Sequence, residues 1–483
     1  MAKSNYEKDI LKQIEELTQK CDGLSHDMKE IKIKHKEEIK ALNKKISELE
    51  EENQVLRNEN DRLKKIINND SNNSSNPPST DIKPNKKIPN NREKSCKKLG
   101  GQKGHKGYIM AKSYVEEKIN NKEFEHKVVD VGTKSTNYKS KYILDIKTTV
   151  VATEYRFYAG KDEKYNIPKE FQTDVQYGNS VKTLCTVLSA EGYVATERVR
   201  DLLENITEEK LKISTGSVVN FLKEFSQKSD GILKNIEQNI LNSLLINTDA
   251  TWARAENRNC FVRNYSTDTC TLLIASKGKS RKYIEEAGIL NHYTGTIEHD
   301  HETVIYNYGS RHGECNVHIS RYLKGCMENT KHKWAKYMRS FLCCLNNYKK
   351  DLVSNNVNYL SEEKLKKYIQ RYDAILELGF KENKELKSKY YKDEEKRLLN
   401  RLKKYKNNHL LFIYDFSVPF DNNLSERDLR HVKSKIKISG CFRSLGGLQN
   451  YLDVKSIIGT CKKKCIDFYE TIFNIYAKIP VNI

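Results

Sequence analysis

The sequence predicts an α/β core with a helical insertion, preceded by an N-terminal coiled coil, a small strand-rich module and a helical, helix-turn-helix-like module. Three observations carry that prediction. Leu42, Leu49, Leu56 and Leu63 recur at heptad spacing; the composition turns abruptly to Asn, Ser and Pro after Asn68; and beyond Ser243 short apolar runs alternate with helical patterns, two of the runs leading into an aspartate.

The heptad segment spans residues 1–67. Ile39, Ile46, Asn53, Asn60 and Ile67 occupy the a positions between the d leucines, and Ile14, Leu17, Cys21, Leu24, Met28 and Ile31 carry the seam upstream, with a stutter between His35 and Ile39. Asn at a is costly unless it meets its counterpart, so Asn53 and Asn60 favour a parallel homodimer. Residues 68–111 follow as a linker too polar to bury a core. Its second half carries Lys97, Lys98, Lys103 and Lys106 among glycines, as a flexible arm tracking a phosphate backbone would. From 112 to 176, runs such as Tyr142-Ile143-Leu144-Asp145-Ile146 alternate apolar and polar, which predicts a small strand-rich module. Residues 177–242 read as short helices. Ser214 and Thr215 stand ready to cap the third, and Gly216 to Ser226 would be the recognition helix of a DNA-binding module.

Residues 243–445 hold the pattern of a catalytic domain. The run Leu244 to Asn247 ends at Thr248-Asp249, two further strands and a helix (Lys282 to Leu290) follow, and a fourth run ends in His299-Asp300. Aspartates at the carboxyl ends of strands in one sheet sit where α/β sheets gather their ligands. Paired carboxylates are hard oxygen ligands suited to Mg²⁺ or Mn²⁺. A third acid, Glu426, is expected early in a helix that starts after Pro419, Asp421 and Asn422, among Arg427, Arg430, Lys433 and Arg443. The acid would hold metal and the cations DNA, as two-metal phosphoryl transfer requires. Between Asp300 and Glu426 a helical insertion is expected from about 322 to 408, dense in Lys, Tyr and Leu, and residues 446–483 read as a C-terminal helix.

Composition bounds the partners. In 483 residues Lys and Arg number 86 against 65 Asp and Glu, a formal charge of +21 that favours polyanions. No apolar run is long enough for a membrane span, and the first residues, MAKSNYEKDI, lack a signal peptide's apolar stretch, so a cytoplasmic protein with no membrane partner is expected. Twelve scattered cysteines then read as reduced thiols.

Several segments occur in one order: SNNSSNPPSTD (71–81), GGQKGHKG (100–107), ISTGSVVN (213–220), TDAT (248–251), His299-Asp300, ECNVH (314–318) and DNNLSER (421–427). Together they resemble a DDE transposase of the insertion sequence 66 family. The resemblance implies an RNase H-like catalytic core, with Asp249, Asp300 and Glu426 as its catalytic, metal-binding triad. It also implies two Mg²⁺ ions, replaceable by Mn²⁺; terminal inverted repeats and target DNA as partners; and accessory transposition proteins in some elements. The sequence departs from the family pattern twice. Ala250 stands where the family usually has Glu after the first aspartate. The region after GGQKGHKG, zinc-finger-like in the family, has no cysteine between Tyr108 and Phe171, so no structural zinc is expected there. Cys315-x-x-His318 has no second pair at ligand spacing, and reads as a core thiol beside a structural or DNA-facing histidine.

The leading expectation is therefore a transposase that cleaves and joins DNA. A catalytically inactive domesticated transposase or DNA-binding regulator would keep the zipper and arm without the chemistry, and a nuclease would cleave without strand transfer.

Overall fold

The computed structural model describes residues 2–69, 73, 110–131, 138–159, 165–169, 171 and 173–483. In chain order it comprises α1 (Ala2–Asn68), α2 (Lys112–Asn120), α3 (Asn179–Ala190), α4 (Thr196–Ile206), α5 (Thr215–Lys228) and α6 (Asp230–Leu241). Strands β1 (Leu245–Ala255), β2 (Arg258–Ser266) and β3 (Thr271–Ser276), helices α7 (Arg281–Ala287) and α8 (Ile289–His292), and strands β4 (Thr296–His299) and β5 (Arg311–Glu314) follow. Then come α9 (Asn316–Thr330), α10 (Lys333–Ser354), α11 (Glu362–Glu385), α12 (Lys389–Lys404), α13 (Lys406–His409), α14 (Leu411–Tyr414), α15 (Asn423–Ser439), α16 (Leu445–Lys463) and α17 (Phe468–Tyr476). No helix among the described residues is long and apolar enough to cross a membrane. The described cysteines form no disulfide with one another.

These elements form two compact units. One holds the N-terminal segment with Gly313–Asp421; the other holds the described residues between Pro89 and His312 together with Asn422–Ile483.

In the first unit α1 is one long helix whose heptad residues, Leu42, Leu49, Leu56 and Leu63 among them, are exposed. Its last turns dock on α12: Lys65 pairs with Glu394, Ser388 Oγ donates to Asp61 Oδ2 at 2.5 Å, and Tyr391 Oη donates to the Asp61 carbonyl at 3.2 Å. The insertion runs from α9 to α14, a little wider than 322–408, and has its own core of Trp334, Met338, Leu342, Tyr372, Leu399 and Phe412. Glu395 is buried at its centre. Burial alone would raise its pKa, but hydrogen bonds from Cys326, Asn383, Trp334 and His332 outweigh that and hold it below the usual carboxylate range. Cys315 Sγ lies 3.4 Å from His318 Nδ1 one turn along the chain.

In the second unit the five strands run β3-β2-β1-β4-β5. β1 and β2 form an antiparallel hairpin, as do β2 and β3, while β1 and β4 are parallel. Glu256 and Asn257, both at positive φ, make the two-residue turn between β1 and β2 that the right-handed twist of a hairpin favours. Helix α16 is buried over most of its length, with Leu448, Tyr451, Leu452, Val454, Ile457 and Ile458 in the core. It also covers the edge of β3. The N–H groups of Thr271, Leu273 and Ala275 donate to Thr460 Oγ1, Ser456 Oγ and Gln449 Oε1 at 2.8–3.1 Å, so an edge that could template strand addition is satisfied internally. Helices α3 to α5 form a small core around Cys185, Val199, Leu203, Val218 and Phe221, and Ser214 caps α5 by accepting from the Ser217 N–H at 3.0 Å.

Three expectations are corrected. The strand-rich module over 112–176 is absent from the described residues. They hold helix α2 and one isolated bridge, Ala159 to Tyr165, while Ile143, Ile146 and Val151 lie exposed with no sheet to pack on. The helix expected over 282–290 breaks in two at Gly288, whose φ of 79° a side chain would resist. The C-terminal helix is likewise two helices, α16 and α17, the second capped by Asp467, which accepts from the Tyr469 and Glu470 N–H groups.

Candidate active site

Asp249 lies on β1, but not at its end. The strand continues to Ala255 because TWARA pairs antiparallel with β2 along its whole length, whereas the parallel pairing with β4 stops at Asn247. Asp249 therefore sits where β1 leaves β4 behind. Asn247 is in register with Glu298, so Asp249 and Asp300, each two residues farther on, leave the paired region at the same level. His301, directly after Asp300, adopts a left-handed φ of 63° that turns the chain away from the sheet.

The proximity of the two aspartates has an electrostatic signature. Burial pushes the Asp249 carboxyl up to about 6, and the charge of Asp300 pushes in the same direction; the Ala250 N–H, Lys279 and Arg263 offset part of this. Two carboxylates held together with this shift are chemically poised for a cation, which would favour the ionised form of both.

The start of the helix that carries Glu426 is tied to β1 beside Asp249 by a polar scaffold that sequence reasoning missed. Asn422 does not spend its side chain capping α15. Its Nδ2 donates to the Thr248 carbonyl at 3.0 Å and its Oδ1 accepts from Asn247 Nδ2 at 3.0 Å, so the start of α15 is fixed to β1 beside Asp249. Asn264 on β2 completes the link. Its Oδ1 accepts from the Asp249 N–H at 2.9 Å and from Ser425 Oγ at 2.5 Å, and its Nδ2 donates to Ser266 Oγ at 2.8 Å. Ser266 and Lys463 in turn donate to Asp428. Asn264, Asn422 and Ser425 are all fully buried, where every unmade hydrogen bond is costly. Part of this signal was readable: Asn422 and Ser425 flank Glu426 in the DNNLSER segment, and Asp428 follows directly after it. Asn264 sits in an ordinary strand run.

Glu426 itself lies in the first turn of α15, half-buried, where the helix dipole favours an anion, and its Oε2 is 3.8 Å from Arg430. Arg430, Lys433 and Lys437 follow it along one helix face and are exposed, as are Arg427 and Arg443. The opposite face is locked inward. Lys435 Nζ donates to the carbonyls of Ser189 and Val194 at 3.0 and 2.9 Å, and His431 pairs with Tyr193, so α15 is tied to the α3–α5 module. Lys97, Lys98, Lys103 and Lys106 lie outside the described residues. Ala250, the departure from the family pattern, sits on the sheet face opposite Asp249, directly across from Arg263.

The fold defines a chain in which a mixed five-stranded sheet carries Asp249 and Asp300 at one level and holds the start of a helix with an exposed basic face. The profile of the Transposase IS66 family matches residues 175–450, more than half of the chain, and a family of unknown function (DUF6444) matches residues 26–110. This chain belongs to the IS66 transposase family. No curated protein matches it.

Proposed function

We propose that the chain is the DNA transposase of an insertion sequence, binding the element's terminal inverted repeats and catalysing their metal-dependent cleavage and transfer to target DNA. This reading is supported by the register that carries Asp249 and Asp300 out of the paired region at one level, and by the anchoring of the start of α15, the helix of Glu426, to β1 beside Asp249. The strand order, with two antiparallel pairings followed by a parallel one, supports an RNase H-like core.

Asp249, Asp300 and Glu426 would hold two Mg²⁺ ions, for which Mn²⁺ could substitute. Bound there, such ions supply Lewis-acid activation of the attacking oxygen and charge stabilisation at the leaving 3′-oxygen. The chain's own residues do the rest. Asn264 and Asn422 fix the spacing between the strand acid and the helix acid, and Arg427, Arg430, Lys433 and Arg443 neutralise backbone phosphates and orient the duplex. The basic arm with Lys97, Lys98, Lys103 and Lys106 and the exposed side of α5 extend the DNA contact. The exposed heptad seam of α1 supports a parallel homodimer, which would bring two element ends together.

The test is incubation of the full chain with defined element ends, target DNA and Mg²⁺. Joined products confirm the transposase; nicked ends alone would reduce the function to that of a nuclease, and DNA binding with neither product to that of a regulator.

A further inference from the structure

On the sheet face opposite Asp249, a small cavity of about 10 Å³ opens under α7, lined by Ala250, Phe261, Arg263, Tyr265, Lys279 and Tyr283 among others. Its lining contains no carboxylate. Three cationic or protic groups converge on it. Arg263 is only 5% exposed; its Nη2 donates to Glu302 at 2.7 Å, but its Nη1 has no hydrogen-bond partner in the protein. Tyr265 is fully buried, and its Oη also lacks a protein partner. Lys279 stands at the mouth with its Nζ 5.4 Å above the Phe261 ring. Buried donors left unsatisfied cost roughly 1–3 kcal/mol each, so two of them facing one cleft are a strong preference for an acceptor.

The reason no side chain supplies that acceptor is the cross-strand register. Ala250 on β1 is the direct partner of Arg263 on β2. Cβ atoms at such positions lie about 5 Å apart, so a longer acidic residue at 250 would reach the guanidinium, whereas a methyl group cannot. A cavity of about 10 Å³ holds roughly one water-sized particle, so it admits a halide or a single carboxylate oxygen rather than a phosphodiester or a nucleobase. We propose that this cleft binds a small monovalent anion, a halide or a short carboxylate such as formate, held by Arg263 Nη1, Tyr265 Oη and the Lys279 ammonium. The site lies on the sheet face opposite Asp249, whose carboxylate also feels Arg263 and Lys279, and it stands whether or not the transposase reading holds.

The test is thermal unfolding of the full chain at constant ionic strength, exchanging sodium gluconate, whose anion is too large to enter, for sodium chloride or sodium formate. A saturable rise in Tm of about 2 °C is expected with either small anion. A response to chloride alone or to formate alone identifies which source fits and still supports the site. Ala250→Glu places a carboxylate in the cleft, and should raise Tm in gluconate while removing the chloride increment. Should that variant fail to fold, bromide-soaked crystals of the unaltered chain decide: an anomalous peak between Arg263 Nη1 and Tyr265 Oη supports the site. Equal Tm in all three salts, an undiminished increment in Ala250→Glu, or bromide found as an adventitious ion only on the outer surface would each overturn it.

Discussion

The helix that carries Glu426 and the helix that carries the heptads solve opposite problems. α15 is held by buried side chains on both of its working sides: Asn422 and Ser425 bind the sheet, and Lys435 binds the α3–α5 module. α1 leaves its apolar seam exposed, and among the described residues it is anchored at its last turns by Asp61 and Lys65. One helix finds its partners within its own unit; the other leaves its apolar heptad residues exposed. On the proposed function, the difference separates a site that must be rigid, because ligand geometry tolerates little error, from an arm that would bring copies together.

The largest effect is expected where that rigidity ends in chemistry. Asp300→Asn should lower cleavage of element ends by at least about a thousandfold, some 4 kcal/mol of lost barrier reduction, while leaving the affinity for the same DNA nearly unchanged. Equal loss of binding and cleavage, read by gel shift and product assay on one preparation, would remove Asp300 from the catalytic role.

Next comes the scaffold. Asn264→Ala breaks three hydrogen bonds that join β1, β2 and α15, so it should lower cleavage by about 10- to 100-fold, as loss of groups that orient metal ligands does. Unfolding should become easier by about 2 kcal/mol. If stability falls and cleavage per folded molecule does not, Asn264 is only structural.

The contrast with α1 is sharpened by Leu42→Glu with Leu49→Glu. Both residues are exposed among the described residues, so the variant should fold as before yet halve in mass by light scattering. An unchanged mass would show that the seam is not the dimer contact.

The smallest effect is a pH dependence. The folded pKa of Asp249 is raised, so its contribution to stability is present below about pH 4 and is lost as pH rises through about 6. In EDTA, Asp249→Asn should therefore be more stable than the unaltered chain at pH 7, by on the order of 1–3 kcal/mol, and the gap should close toward pH 4. A gap that is constant with pH would contradict the raised pKa of Asp249.

How much of this was legible in the sequence follows the range of the forces involved. The heptads, the helices of the α3–α5 module and the strands around Asp249 and Asp300 announce themselves by local periodicity, and the structure has them. The apolar alternation near Ile143 and Ile146 is as regular, yet it forms no sheet among the described residues. A two-residue period states only that a strand is possible, and pairing partners decide whether it forms. Asp249 was expected at a strand end and lies within a strand, because the β1–β2 hairpin outruns the β1–β4 pairing. The Asn264–Asn422–Ser425 scaffold joins residues some 160 positions apart. No local pattern encodes such a link.

The central claim is that Asp249, Asp300 and Glu426 form one metal site. Titration of the full chain with Mn²⁺ by calorimetry, alongside Asp249→Asn, Asp300→Asn and Glu426→Gln, tests it most directly. The account predicts that each substitution lowers Mn²⁺ affinity by about tenfold or more while the protein stays folded. Glu426→Gln binding Mn²⁺ as tightly as the unaltered chain would contradict it, leaving two aspartates and a helix glutamate with no shared ion.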